Sequence, residues 1–91
     1  MIFSTQVSWI RHRDIHILSV GATTYTSDGR FKVVHEKKEN SGTWALRIKY
    51  AHPRDSGQYD CQISSKKYTP GAALTFHLDV IGKFYSHVFV E

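Results

Sequence analysis

The chain is poor in cysteine and has no long apolar run. Cys61 is the single cysteine among 91 residues, so no internal disulfide can form. Taken alone, one cysteine suggests a reduced, cytosolic protein. No stretch approaches the ~20 consecutive apolar residues that a membrane helix needs. Residues 1–6 carry no basic flank and no long apolar run, so no secretory signal is predicted there.

Positive charge is in modest excess and is scattered along the chain. Twelve Lys and Arg against eight Asp and Glu give a formal net charge of +4, and the longest basic runs are pairs. Without a polybasic tail or stripe, a nucleic-acid partner is disfavoured. The hydrophobic fraction of 41% and the aromatic fraction of 13% are typical of a globular chain. The length fits one domain.

Seven short segments have the composition of β-strands. In residues 43–50, for example, Trp44, Leu46 and Ile48 alternate with polar or small residues. Turn signals separate the segments, and residues 36–42 are predicted as a charged loop. The segments are residues 6–12, 15–20, 23–26, 30–35, 43–50, 58–64 and 73–81. Short strands at this spacing predict an all-β sandwich or barrel.

A four-residue motif narrows the fold class. Asp55, Gly57, Tyr59 and Cys61 follow one another at two-residue intervals. On one strand, Tyr59 and Cys61 then share the buried face. A Tyr two residues before a Cys is typical of the tyrosine corner, in which the Tyr hydroxyl bonds back to the backbone of the corner.

Two residues upstream complete this pattern. Trp9 has the strand position of the core Trp of immunoglobulin sandwiches. Arg30 opens the strand after a turn and is the expected cationic partner of Asp55. The set predicts a variable-type immunoglobulin-like β-sandwich from strand C onward, lacking strands A and B. Five of its residues are expected to be buried: Trp9, Leu46, Tyr59, Cys61 and Leu78.

The chain resembles the first immunoglobulin domain of the Dpr (defective proboscis extension response) family of insect neuronal cell-surface proteins. The resemblance covers about residues 6–81 and is carried by residues 7–21, 25–31, 44–50 and 53–64. It implies heterophilic binding to immunoglobulin-superfamily cell-surface proteins, the Dpr-interacting proteins, through first-domain contacts. Homophilic contact is a second mode. It further implies a role in synapse organisation and taste behaviour.

The chain departs from the family pattern at both ends. Trp9 leaves no room for the strand-B cysteine, so Cys61 lacks its partner and strand E is expected to lie at an open edge. Residues 1–81 are therefore predicted to form a partial domain of strands C to G, and residues 82–91 an atypical tail.

This pattern favours a partial product of a receptor. The full-length protein would act at the neuronal plasma membrane, held there by parts outside the chain. A short isoform acting as a soluble β-sandwich binding domain, or a non-functional fragment without signal peptide, is the alternative.

The predicted recognition surface is the outer face of strands G, F, C, C′ and C″. If Trp9 points inward, Ile10 and His12 point outward, and the same alternation turns Asp60 outward on strand F. The phase of strand C′ stays open, with Ile15 and Ile17 as the alternative outward pair. The predicted partner-binding residues are Ile10, His12, His16, Leu18, Tyr25, Gln62 and Ser64.

Catalytic and metal chemistry are disfavoured. His12 and His16 have a spacing that suits a metal on a helix, but they fall on strands or the turn between them. Cys61 follows a corner Tyr on a core strand, where a buried thiol is unreactive. Asp55 and Asp60 lie on opposite faces of the strand. We therefore predict neither an enzyme nor a cofactor or metal site.

Overall fold

The computed structural model of the chain describes residues 6–38, 41–64, 72–82 and 85–90. Two 3-10 turns and eight β-strands make up the regular structure in these ranges. The turns are His12–Asp14 and Pro53–Asp55. The strands are β1 (Gln6–Arg11), β2 (His16–Val20), β3 (Thr23–Thr24), β4 (Phe31–Lys38), β5 (Ser41–Ala51), β6 (Gly57–Ser64), β7 (Ala72–Leu78) and β8 (Tyr85–Val90).

The strands form two antiparallel sheets. The front sheet has the order β3-β2-β1-β6-β7, and the back sheet has the order β4-β5-β8. In immunoglobulin terms the front sheet holds strands C″, C′, C, F and G, while β4 and β5 are strands D and E. The predicted all-β immunoglobulin-like sandwich is thus confirmed.

One predicted loop is wrong. Residues 36–42 were expected to form a charged loop, but β4 extends to Lys38 and β5 begins at Ser41. Lys38 pairs with Ser41 and Lys37 with Gly42, so the ladder continues almost to the end of a hairpin. Backbone pairing with a neighbouring strand overrides the polar composition of this segment.

The expected open edge of strand E is also wrong. Within residues 82–91, the predicted tail, β8 pairs antiparallel with β5, and its backbone sets Val90 opposite Leu46 and Val88 opposite Ile48. In an immunoglobulin sandwich, strand B holds this place beside strand E. The tail therefore supplies the backbone partners that β5 would otherwise lack on this side.

The core lies between the two sheets. Trp9 packs on Phe76 of the same sheet with ring centroids 5.5 Å apart. The cluster of buried residues is Val7, Trp9, Leu18, Phe31, Leu46, Ile48, Ala51, Tyr59, Cys61 and Val80. Leu78, expected in this core, is only partly buried and packs against it. Leu74 lies opposite the buried Cys61 on β7 and is exposed.

A polar cluster joins the two sheets at the corner before β6. The Arg30 guanidinium donates from Nη1 to Asp55 Oδ2 at 2.8 Å and from Nη2 to Oδ1 at 2.9 Å. The backbone N–H of His52 donates to Asp55 Oδ2 at 2.8 Å. Tyr59 donates its hydroxyl to the carbonyl of Asp55 at 2.7 Å, which is the geometry of a tyrosine corner.

The corner also perturbs the ionisation of its carboxylate. Burial by itself would raise the pKa of Asp55, but the Arg30 fork and the His52 amide together hold this pKa below its usual value. Asp55 is therefore a carboxylate at neutral pH although only 2% of the residue is exposed.

Candidate recognition surface

The register of β1 and β6 fixes the outer face of the front sheet. Trp9 lies opposite Cys61, and both are buried. Since directly opposed residues share a face, Ile10 and its partner Asp60 lie together on the outer face. Gln62, opposite Ser8, is exposed on this same face. These positions follow the alternation predicted from the sequence.

A β-bulge in β2 decides the phase that the sequence left open, in favour of the alternative with Ile17 on the outer face. Trp9 pairs with Ser19 and Ile10 with Ile17, so Leu18 is an extra residue between the two pairs. Leu18 points into the core and is fully buried, so its predicted place on the recognition surface is wrong. Ile17 instead lies beside Ile10 on the outer face, with 48% of the residue exposed.

The His16 position differs from the prediction as well. His16 pairs with Arg11, one step from the Ile10 and Ile17 pair, and therefore lies on the opposite face of the sheet from them. It is half-buried there. The outer face at β2 is consequently more apolar than the sequence assignment implied.

The turn between β1 and β2 presents an exposed apolar side chain. Ile15 has a φ of 51°, a left-handed conformation that is uncommon for a β-branched residue, and it is 71% exposed. Its N–H donates to the carbonyl of His12. Arg11 donates to both carboxylate oxygens of Asp14, from Nε at 3.0 Å and Nη2 at 2.8 Å. These two hydrogen bonds lower the pKa of Asp14 to about 2 and stabilise the turn.

Tyr25 extends the apolar area beyond β3. Its N–H donates to the carbonyl of Leu18 at 2.8 Å, which fixes the backbone beside β2, and 60% of the residue is exposed. Ile10 and Ile17 are a cross-strand pair on the outer face, and the exposed Tyr25 lies beside β2. We call these three residues the apolar patch.

Polar groups surround Asp60 on the neighbouring strands. Gln58 Nε2 donates to Asp60 Oδ1 at 2.9 Å, and Thr75 Oγ1 donates to the same oxygen at 3.2 Å. His12, which is exposed, lies with Nδ1 3.3 Å from Asp60 Oδ2. The hydrogen bond from Gln58, followed by those from His12 and Thr75, lowers the pKa of Asp60. We call these four residues the Asp60 cluster.

Sequence reasoning found only part of this cluster. Alternation placed Asp60 and His12 outward, but Gln58 and Thr75 were missed. Gln58 could have been found, since it occupies the same phase of β6 as Asp60 and Gln62. Thr75 required the β6 and β7 register. The side chain of Ser64 lies outside the described residues, although its backbone pairs with Gln6.

Other chemistry finds little support in the part of the chain that the structure describes. There, three or more His, Cys, Asp or Glu side chains are nowhere grouped as a metal ion would require. Cys61 is buried with a free thiol, and burial raises its pKa, which disfavours the reactive thiolate. None of the helical segments in the described ranges has the length and apolar character to cross a membrane.

Comparison with known proteins gives a consistent set of relatives. No protein-family model matches the chain. The chain is similar to "Zwei Ig domain protein zig-8" of Caenorhabditis elegans, with 34% identity over 64 residues. That alignment covers 70% of this chain and 23% of the worm protein, so the chain spans only a minor part of its curated relative.

Several solved immunoglobulin domains share the fold and much of the sequence. Dpr1 IG1, solved bound to DIP-eta IG1, is 47% identical with a TM-score of 0.72, over 87% of this chain and 70% of that chain. Dpr2 Ig1-Ig2, in complex with DIP-Theta Ig1-Ig3, is 51% identical with a TM-score of 0.72, over 86% of this chain and 33% of that chain. ZIG-8 IG1, solved as a homodimer, is 31% identical with a TM-score of 0.72, over 86% and 62%.

Proposed function

Because the chain belongs to the Dpr family, as a first immunoglobulin domain, we propose that its front sheet binds the first immunoglobulin domain of a Dpr-interacting protein. Family members Dpr1 and Dpr2 are seen in complex with DIP-eta and DIP-Theta. The family consists of immunoglobulin recognition modules and not of enzymes.

The apolar patch is the observation that carries this proposal. Ile17 is a large, exposed side chain on β2, Ile10 is its cross-strand neighbour, and the exposed Tyr25 follows directly after β3. Apolar and aromatic side chains at the centre of an otherwise polar rim are typical of protein–protein interfaces. Tyr25 also carries a hydroxyl, which suits a position at the edge of such a contact. The bulged strand β2 supports the patch from below through the buried Leu18.

The setting we propose is recognition at the neuronal cell surface. A domain of this family would act outside the cell, in synapse organisation and in taste behaviour, as the resemblance implies. A second candidate is homophilic contact through the same face. The homodimer of the related ZIG-8 IG1 supports this mode.

Surface plasmon resonance against DIP-eta IG1 and DIP-Theta Ig1-Ig3 tests the proposal. A carboxylate placed in the patch by Ile17→Asp or Tyr25→Asp, or beside it by Gln62→Asp, would be buried without a partner at the contact. We expect each variant to lose about a hundredfold or more in affinity, corresponding to a few kcal/mol. Lys32→Asp places the same group on an exposed position of β4 in the back sheet and should change little.

The results separate the candidate functions. If the front-sheet variants and Lys32→Asp in the back sheet lose the same affinity, or if the wild-type chain binds neither partner, the heterophilic proposal is contradicted. Self-association that Ile17→Asp abolishes, measured by analytical ultracentrifugation, would assign the same face to the homophilic mode. A chain that neither binds nor self-associates would be left as a soluble domain or a fragment without function.

A further inference from the structure

Asp60 is the exceptional residue of the outer face. Among the described strand positions that point outward on the front sheet, Asp60 is the one with a formal charge at neutral pH. The other positions carry hydroxyl, amide, apolar or imidazole groups. Its side chain is 19% exposed, so it is already partly desolvated before any partner arrives. Ile10 of the apolar patch is its direct neighbour across the β1 and β6 ladder.

The two carboxylate oxygens of Asp60 are in different situations. Oδ1 accepts hydrogen bonds from Gln58 Nε2 at 2.9 Å and from Thr75 Oγ1 at 3.2 Å, so both of its lone pairs are used. Among the described residues, Oδ2 has the His12 ring nitrogen as its one partner, at the longer distance of 3.3 Å. The carboxylate is therefore held in one orientation, with Oδ2 retaining capacity to accept a further donor.

A partner that covers this face removes the remaining water from Asp60. A buried carboxylate without an opposite charge is costly, and the neutral groups on Oδ1 do not supply one. Among the described residues, the two arginines of the neighbouring turn donate to other acceptors: Arg11 is paired with Asp14, and Arg13 donates to the carbonyl of Arg54. Within the described residues, His12 is the internal candidate for the compensating charge, and the partner is the external one.

We infer that Asp60 is a specificity-determining residue, which selects partners that place a guanidinium or ammonium group against its Oδ2. This inference rests on the proposed function of the front sheet. A partner with a cation at this point gains a charge-assisted hydrogen bond of fixed direction. A partner with a carboxylate or an apolar group there is rejected, because it leaves Asp60 buried and unpaired.

The direction of the change in affinity caused by one substitution tests the inference. Asp60→Asn retains an acceptor for Gln58 and Thr75 but removes the charge. For a partner that presents a cation, we expect binding to weaken by about thirtyfold or more in surface plasmon resonance. The wild-type affinity should also fall more steeply with rising salt than that of the variant. Asp79→Asn is the matched control, since Asp79 is exposed beyond the end of β7.

Two controls keep the outcomes distinct. Equal melting temperatures of wild type and Asp60→Asn would show that the fold is intact. His12→Gln removes the internal candidate for the compensating charge and should leave the effect of Asp60→Asn in place.

Each contrary outcome has a definite meaning. Unchanged or tighter binding by Asp60→Asn, while Ile17→Asp still abolishes binding, would overturn the inference and leave the proposed function standing. Loss of the Asp60→Asn effect in the His12→Gln background would assign the charge to His12 and would also overturn it. Absence of binding by the wild-type protein would instead remove the proposed function itself.

Discussion

Removing the Arg30 guanidinium group should destabilise the domain strongly. In Arg30→Met, the buried carboxylate of Asp55 loses both bonds of the guanidinium fork, at 2.8 and 2.9 Å, and retains the His52 N–H. Breaking a buried ion pair by removing one partner costs about 3–5 kcal/mol. The free energy of unfolding of a chain of 91 residues is about 5–14 kcal/mol. The substitution should therefore remove a large part of it.

The pH dependence gives a second, independent readout. In the wild type the pKa of Asp55 is depressed, so its contribution to stability is present above the unfolded pKa of about 3.9 and is lost as the pH falls through the folded value. In Arg30→Met, burial would raise this pKa instead. The unfolding free energy of the variant is then reduced most at neutral pH. The difference in unfolding free energy between the two proteins should become smaller below about pH 4.

Urea unfolding followed by circular dichroism at pH 7 and at pH 3.5 measures the loss of unfolding free energy and its pH dependence, and thermal unfolding measures the same loss as a change in melting temperature. At 4–8 °C per kcal/mol, a loss of about 3 kcal/mol lowers the melting temperature by about 12–24 °C. Lys32→Met removes a positive charge from an exposed site on β4, two residues after Arg30, and should have little effect. A loss below about 1 kcal/mol at pH 7, equal at both pH values, would refute the assignment of Arg30 as the counter-charge of Asp55.

Three further outcomes are expected. Tyr59→Phe should lower the unfolding free energy by about 1 kcal/mol in urea titrations, because the Asp55 carbonyl loses its 2.7 Å bond; an unchanged midpoint would contradict the tyrosine corner. Leu18→Asp should prevent cooperative thermal unfolding, whereas Ile17→Asp should keep the wild-type melting temperature; the reverse order would contradict the bulged register. A chain ending at Gly82 should elute as oligomers in size-exclusion chromatography, since it lacks β8 and the β5 edge is unpaired; a stable monomer would show that β8 is dispensable.

The sequence was most informative where contacts are local or strictly periodic. Tyr59 and Cys61 could be placed on the inner face because alternation on one strand needs no knowledge of its neighbours. The tyrosine corner depends on residues only four apart in the chain. Arg30 and Asp55 are farther apart, and their pairing was predictable only because a known sandwich pattern brings them together.

The remaining features depend on how distant strands pair. From the sequence alone, β8 is an apolar segment without a predicted partner, and its role follows only from its register with β5. The Asp60 cluster draws side chains from β6, β7 and the turn after β1, and no local pattern in the sequence connects them. Strand registers of this kind follow from the fit of the whole sandwich, so a single-strand pattern could not supply them.

The bulge in β2 gives this surface a second way to change during evolution. If the extra residue moved by one position, Leu18 would pair with Ile10 and become exposed, and Ile17 would enter the core in its place. Exchanges between leucine and isoleucine in a core usually cost less than about 1.5 kcal/mol when the surroundings repack. A substitution elsewhere that shifts the strand register could therefore alter which side chain a partner meets, without any substitution at Ile10, Ile17 or Leu18 themselves.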